Sequence, residues 1–400
     1  MILTASTVKD TSTSLSRFVE RNLANGVDHL VVFVDDADRR VVRRLRRHPH
    51  VTVVAADEAW WHGKRPVQLN ARQRINANVA RVLLAPFASG AGGPVEWLFH
   101  IDADEVLLLD RPVIDTLPAD VDVVRALPWE AVSRWQWRGD RVTHFKRLLD
   151  SDELRRAHEQ GLLVAAGNGS YFHGHLEGKS AIRPRMDRWH TLHGAHDVRQ
   201  DETPGRTGDF ARVLHYESWS GEEFVRKWTN ILTSGGKVSF RPGREPVARA
   251  LQEVLDADLS PRQARARFAE IYRATTEDPF DALLALGALE AVDPDAGAHR
   301  PASFDAVQAA ELERVLAALA PENKWPFHTG RTARDLARLL DRVVTRLDAE
   351  DRALADRCGR AWQMSEEVLA AAAGNRQEIA AREAQAGGDP DPIESGQNTG

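Results

Sequence analysis

The first hundred residues alternate between strand-like and helix-like segments, and this alternation limits the chain to few folds. The strand-like segments are rich in β-branched residues, whereas the helical ones repeat apolar residues every three or four positions. Short connections between such segments predict a parallel sheet covered by helices on both faces. We predict strands over 2–8, 29–34, 51–55 and 97–101, and helices over 11–25, 37–47 and 66–84.

The rest of the chain is less regular at first and then helical. Residues 121–240 are rich in Trp, His, Gly and Arg without a clear period, so no strands are assigned there. The polar end, rich in Pro and Gly, is typical of disorder. We expect an α/β domain over 1–240, a helical region over 241–386 and a disordered tail over 387–400. Helices are predicted over 261–274, 280–291, 304–319 and 332–347.

Composition excludes several classes of protein. The formal net charge is -6, which disfavours a nucleic-acid partner. No apolar run approaches the roughly 18 residues of a membrane span, and the first residues lack a signal-peptide pattern. A single cysteine, Cys358, rules out a disulfide framework. We therefore expect a cytoplasmic protein. Its Arg-rich helix over 39–47 is read as a solvated face, with weak peripheral contact to anionic lipid as the alternative.

The strand over 97–101 is followed by the acidic run Asp102-Ala103-Asp104-Glu105. If this run is extended, the side chains of Asp102 and Asp104 point to the same side. Two carboxylates at that spacing suit Mg²⁺ or Mn²⁺ held together with a diphosphate. The alternative is a solvated acidic strand end, since so short a motif also recurs by accident.

A second acidic pair, Asp35-Asp36, follows the strand over 29–34. Ligands of parallel sheets bind at the carboxyl ends of the strands, where both acidic groups are predicted to lie. A carboxylate here would accept hydrogen bonds from a base or ribose. The alternative for Asp36 is to cap the helix that follows it.

Histidines and basic residues crowd the region from 173 to 215. His190, His193 and His196 would form one stripe on a helix, which is a minority hypothesis for a zinc site. Lys179 and Arg183 follow a glycine-containing loop and are candidates to bind a diphosphate. His215, after a strand-like segment, is a candidate to complete a carboxylate metal site.

Taken together, these segments resemble the family 2-like glycosyltransferases related to glycosyltransferase family 92, over roughly residues 5–230. That family reads Val-Lys-Asn-Glu at its first site and Ile-Asp-x-Asp-Glu-Phe at its metal site. Here Asp10-Thr11 replaces Asn-Glu, and Val106 replaces Phe. The matching segments are Val8-Lys9-Asp10, Asp35-Asp36, Trp97 to Glu105, Gly178-Lys179-Ser180, Arg183-Pro184 and His215 to Lys227.

The resemblance implies a GT-A fold, in which a Rossmann-like nucleotide half is fused to an acceptor half. It also implies a nucleotide-sugar donor, commonly a UDP-sugar, and Mn²⁺ or Mg²⁺ as cofactor. By position, the metal ligands would be Asp102, Asp104 and His215, with His193 as the alternative to His215. The donor would contact Lys9, Asp10, Asp35, Asp36, Asp102, Lys179 and Arg183.

We therefore expect a glycosyltransferase that moves a sugar from a nucleotide diphosphate to a carbohydrate or other hydroxyl acceptor. An inverting enzyme needs a carboxylate base beside the acceptor, and Glu177 and Asp187 are candidates by position. One alternative is a metal-dependent nucleotidyl- or phosphotransferase, which also uses paired carboxylates. The other is a non-catalytic carbohydrate-binding or scaffold protein.

Overall fold

The computed structural model describes residues 1–233 and 245–374. Its strands are β1 (Ile2–Val8), β2 (His29–Val34), β3 (Val51–Ala55), β4 (Trp97–His100), β5 (Glu105–Leu109), β6 (Val123–Ala131), β7 (His144–Lys146), β8 (Lys179–Ile182), β9 (Trp189–His190), β10 (Ala195–His196), β11 (Ala211–His215) and β12 (Leu289–Ala291). Its helices are α1 (Ser12–Ala24), α2 (Arg39–Leu45), α3 (Glu58–Trp61), α4 (Leu69–Leu84), α5 (Arg111–Ile114), α6 (Ser151–Glu159), α7 (Asn168–Tyr171), α8 (Gly221–Thr233), α9 (Glu245–Asp256), α10 (Pro261–Thr275), α11 (Phe280–Ala285), α12 (Ala306–Leu319), α13 (Ala333–Asp348) and α14 (Arg352–Ala361).

One mixed sheet organises this α/β structure. Its strands follow the order β12-β7-β6-β8-β4-β1-β2-β3, while β11 pairs with β5 and β6 beside this path. Strands β3, β2, β1 and β4 are parallel, as the alternating pattern predicts. Their carboxyl ends therefore meet at one edge of the sheet, which is the edge where both acidic groups follow their strands.

Helices cover the parallel strands on both faces. Strand β1 sends Ile2 and Val8 into the core that contains α1 and α2, and Leu3 and Ala5 into the opposite core. The second core also contains α4, α12, α13 and α14. The C-terminal helices therefore share a hydrophobic core with the N-terminal sheet.

The region after residue 245 departs from the predicted pattern in one place. The segment 280–291 is predicted as a single helix, but α11 ends at Ala285 and Leu289–Ala291 forms β12. Strand β12 pairs antiparallel with β7 and so joins the main sheet. The predicted disordered tail, residues 387–400, lies outside the described residues.

Helix α2 is shorter than predicted but has the expected faces. Val41, Val42 and Leu45 are buried, and its arginines are exposed. The helix is capped by Asp38, whose carboxylate accepts the N–H of Arg40, so the alternative role of Asp36 as the cap is wrong. Among the described residues, no helix has both the length and the apolarity needed to cross a membrane.

Candidate functional site

The acidic run after β4 does not have the extended form expected from sequence. Asp102-Ala103-Asp104 forms a turn, in which the N–H of Glu105 donates to the Asp102 carbonyl at 3.2 Å. A turn removes the alternation that would place two carboxylates side by side. Asp102 and Asp104 therefore contact different groups.

Asp102 is held by the protein itself. Lys179 Nζ lies 2.6 Å from Asp102 Oδ2, and Gln73 Nε2 donates to Asp102 Oδ1 at 2.5 Å. The Lys179 ammonium is also 3.6 Å from Glu105 Oε2, and only 1% of the Lys179 side chain is exposed. This lysine therefore neutralises two carboxylates of the acidic run and is not directed at a diphosphate.

The charges of these three groups stabilise one another. Burial acts to raise the pKa of Asp102 and Glu105, but the Lys179 ammonium and the neighbouring histidines together outweigh it, so the pKa of both carboxyl groups is lowered. Burial likewise acts to lower the pKa of Lys179, yet the two carboxylates raise it above its ordinary value. The trio therefore stays charged at neutral pH.

Asp104 faces a separate cluster. His215 Nε2 lies 3.8 Å from Asp104 Oδ2 and 3.8 Å from Glu217 Oε2. One donor atom from each of these three residues lies within 4.8 Å of the others, so the group could hold a metal ion. The Lys227 ammonium lies 2.6 Å from Glu217 and 3.6 Å from Asp104. The structure thus brings together Asp104 and His215, as expected, with Glu217 in place of Asp102.

The registers of four strands place ionisable side chains in one buried row. His215 of β11 stands opposite Glu105 of β5 and beside Glu130 of β6. Glu130 in turn stands opposite Lys146 of β7. Registered neighbours project to the same face of a sheet. Lys146 Nζ lies 2.8 Å from Glu130 Oε1 and 3.1 Å from Asp278 Oδ2, so this part of the row is paired.

Gly174 packs directly on this row, and its lack of a side chain is required there. A Cβ at Gly174 would lie 2.5 Å from His215 Cε1 and 2.8 Å from Glu130 Oε2. We expect Gly174→Ala to displace His215 and to lower the free energy of unfolding by about 1–3 kcal/mol, as overpacking does. Urea denaturation measures the change. Gly169→Ala is the control, because a Cβ at Gly169 meets no atom within 4 Å. Equal losses of unfolding free energy in both variants would contradict a clash between the new Cβ and His215.

The crowded histidines do not form a helical stripe. His190 and His196 lie on β9 and β10, which form an antiparallel pair, so the helical zinc hypothesis is wrong. Both are buried, and burial, followed by neighbouring cationic groups, lowers the pKa of His190. His193 lies in the turn between the two strands and approaches His175, with ring centroids 4.3 Å apart.

Of the candidate residues at the ends of β1 and β2, some are buried in ion pairs and others are exposed. Asp35 is buried in an ion pair with Arg72, with Nε–Oδ1 and Nη2–Oδ2 distances of 2.8 and 2.9 Å. Lys9 and Asp36 are exposed at the same edge. Asp10 lies 3.4 Å from Arg226 of α8. Lys9, Asp10 and Asp36 thus remain candidates for nucleotide contact, whereas both oxygens of Asp35 are engaged.

Arg183 and Asp187 are not brought to this edge. Strand β8 runs antiparallel to β4, so Arg183 lies about 13 Å along the strand from Lys179. There Arg183 pairs with Glu96 and covers the Trp97 ring, at 4.3 Å from its centroid. Asp187 pairs with Arg188, which also reaches Asp122 at the start of β6. The direction of β8, which the sequence pattern did not reveal, explains this placement.

A cleft of about 120 Å³ opens beside Asp104. It lies between the beginning of α1, the turn after β4 and the beginning of α8. Its walls carry the basic side chains of Arg17, Arg21, Arg226 and Lys227. Asp104 lines this cleft and also belongs to the cluster with His215 and Glu217, so the cluster lies next to the cationic groups. A metal-bound phosphate requires both kinds of group close together.

Sequence reasoning missed several residues of this site, namely Gln73, Glu130, Lys146, His175, Glu217 and Asp278. His175 stands two residues before the base candidate Glu177, and Glu217 stands two residues after His215; that alternation was the available signal. Strand pairing brings Glu130 next to Lys146, and Asp278 reaches Lys146 from the residues just before α11, which are distant in sequence. No protein-family model and no curated protein matches the chain, so the site is interpreted from its geometry.

Proposed function

We propose that this chain transfers a sugar from a nucleotide-diphosphate sugar to a hydroxyl acceptor, in the cleft beside Asp104. The observation that carries the proposal is the meeting of Asp104, His215 and Glu217 next to a cleft with four basic side chains. The parallel strands β3-β2-β1-β4 support a nucleotide-binding half of the GT-A type. Their carboxyl edge is where such sheets bind ligands.

The donor set of this cluster fits Mn²⁺ or Mg²⁺. Two carboxylates and one imidazole lie within a span of 4.8 Å, and 41% of the Asp104 side chain is exposed. Oxygen-rich sets of this kind suit hard divalent ions. Asp104, Glu217 and His215 would hold the ion, which when bound supplies positive charge to the departing diphosphate.

The cationic side chains of the cleft act on the same charge. Arg17, Arg226 and Lys227 line the cleft, and their positive charges would stabilise the diphosphate as the sugar leaves. Arg226 also pairs with Glu223, and Lys227 also pairs with Glu217. Lys179 stays with Asp102 and Glu105 and fixes the turn that presents Asp104. Exposed Lys9 and Asp36 are candidates for the nucleotide. Glu177 remains a base candidate by position, and it lies beside His175 and His193.

The proposal is tested with a panel of nucleotide sugars in the presence of Mn²⁺. We expect release of nucleoside diphosphate from one donor, and Asp104→Asn lowers kcat at least about 100-fold, because a charged group of the reacting site is lost. Asp120→Asn, an exposed carboxylate just before β6, is the matched control and keeps wild-type activity.

The products separate this proposal from its alternatives. Pyrophosphate in place of nucleoside diphosphate would point to nucleotidyl transfer. A scaffold protein would show no turnover and no rise in Tm with UDP and Mn²⁺, whereas a bound ligand raises stability by mass action.

A further inference from the structure

A second group of metal-binding side chains lies next to the cleft. His175 and Glu177 belong to the loop before β8, and His193 belongs to the turn between β9 and β10. One donor atom from each of the three lies within 4.8 Å of the others. Two loops that are distant along the chain thus supply two imidazoles and a carboxylate to one point.

His175 is oriented as metal-bound histidines are. Its Nε2 lies 2.8 Å from Glu105 Oε1, and because a carboxylate accepts, Nε2 carries the proton. The other nitrogen, Nδ1, then has a free lone pair. Nδ1 is buried, and no group in residues 1–233 or 245–374 hydrogen-bonds to it. A carboxylate that fixes the ring tautomer is the usual companion of a metal-ligating histidine.

His193 has the complementary arrangement. Its Nδ1 lies 3.2 Å from the carbonyl oxygen of Gly178, so Nδ1 donates and the lone pair resides on Nε2. Metal ions bind imidazole through such a lone pair, so Nε2 is the nitrogen of His193 that is available to an ion.

Ring geometry separates this group from the Asp104 cluster. The rings of His175 and His215 are stacked, with centroids 4.8 Å apart and planes inclined by 27°. Imidazole lone pairs lie in the ring plane, so stacked rings do not direct both lone pairs to one ion. His175 and His193 are inclined by 46°, and His215 Nε2 instead faces Asp104 and Glu217.

We propose that His175 Nδ1, His193 Nε2 and the Glu177 carboxylate form a site for a transition-metal ion of the Zn²⁺ type. Two imidazoles and one carboxylate, with a position left open, are a common set for such ions. The Asp104 cluster, which has more oxygen donors, suits a harder ion. The bound Zn²⁺ would join the loop before β8 to the β9–β10 turn, and it does not depend on the proposed glycosyl transfer.

Calorimetric titration of the whole, EDTA-treated chain with Zn²⁺ tests the site, in buffer with excess Mg²⁺ to occupy hard-ion sites. We expect one Zn²⁺ per chain. His193→Ala and Glu177→Gln should weaken binding about 100-fold and at least about 10-fold, as loss of one ligand or of its support does. Co²⁺ provides a second readout, since its d–d absorption reports the bound ligands and disappears in His193→Ala.

Two controls make the result decisive. His158→Ala removes an exposed histidine whose Nδ1 also meets a backbone carbonyl, so its Zn²⁺ affinity stays at the wild-type level. Asp104→Asn should change Zn²⁺ affinity less than about 3-fold, which is under 1 kcal/mol. No saturable Zn²⁺ binding by the wild type, or equal affinity in Glu177→Gln, would overturn the site. Glu177→Gln that keeps Zn²⁺ affinity but loses turnover would make Glu177 the base instead.

Discussion

Lys179→Met is expected to lower the free energy of unfolding by about 3–5 kcal/mol, which is the range for a buried ion pair that loses one partner. The ammonium of Lys179 lies 2.6 Å from Asp102 and 3.6 Å from Glu105, and Glu105 is fully buried. Without it, two carboxylates close together lose the one close lysine contact that they have within residues 1–233 and 245–374. Hydrogen bonds from Gln73 and His175 remain but do not supply a permanent charge. Equilibrium urea denaturation at pH 7 measures the loss.

The pH dependence of the Lys179→Met effect identifies its cause. In the wild type, the lowered pKa of Asp102 and Glu105 provides stability above their unfolded pKa of about 4, and that stability is lost as the pH falls. In Lys179→Met, protonation of Asp102 or Glu105 relieves the repulsion between the two carboxylates. The difference in free energy of unfolding between variant and wild type therefore narrows as the pH falls from 7 to 4.5. Lys64→Met, at an exposed site, is the control. A difference independent of pH would instead indicate a packing defect.

The parallel half of the sheet could be predicted because its signal is local. The predicted strands 2–8, 29–34 and 51–55 match β1, β2 and β3 in their bounds. In α1, the apolar residues that recur every three or four positions are buried, namely Leu15, Phe18, Val19 and Leu23. Central parallel strands are buried on both faces and so appear as continuous apolar runs. This pattern also fixed the edge at which the acidic groups lie.

The antiparallel half could not be predicted, because its strands carry charged residues inside the protein. Glu130, Lys146 and Lys179 interrupt the apolar patterns of β6, β7 and β8, and their burial is tolerated only because each has an opposite charge nearby. Such pairs form between residues distant in sequence. Such pairs also explain why the structure does not bring Lys179 and Arg183 together at a diphosphate position. Lys179 pairs with Asp102, and Arg183 lies at the other end of β8.

Acidification from pH 7 to pH 5 is expected to remove several kcal/mol of stability through buried neutral histidines. Burial, with nearby cationic groups, lowers the pKa of His29 to about 3, and burial lowers the pKa of His100 and His328 to about 4. The unfolded chain gains these protons below its histidine pKa of about 6.5, whereas the folded chain does not. Stability is therefore lost as the pH falls below 6.5, by about 2 kcal/mol per histidine at pH 5. Urea denaturation at several pH values between 7 and 5 measures how the free energy of unfolding changes with pH.

His29→Phe isolates one of these contributions away from the metal-binding clusters. His29 packs edge-to-face on Phe304, at 5.2 Å between ring centroids, and a phenyl ring keeps that contact. The Nε2 of His29 lies 2.8 Å from Thr52 Oγ1, so Thr52→Val is combined with the variant to avoid an unpaired hydroxyl. The double variant His29→Phe/Thr52→Val cannot take up a proton at position 29. The free energy of unfolding that it loses between pH 7 and pH 5 is therefore smaller, by about 2 kcal/mol, than the loss in Thr52→Val alone. Parallel stability curves for the two proteins would mean that His29 takes up a proton in the folded state as readily as in the unfolded chain. The acid sensitivity would then have to arise from other groups, such as His100 and His328.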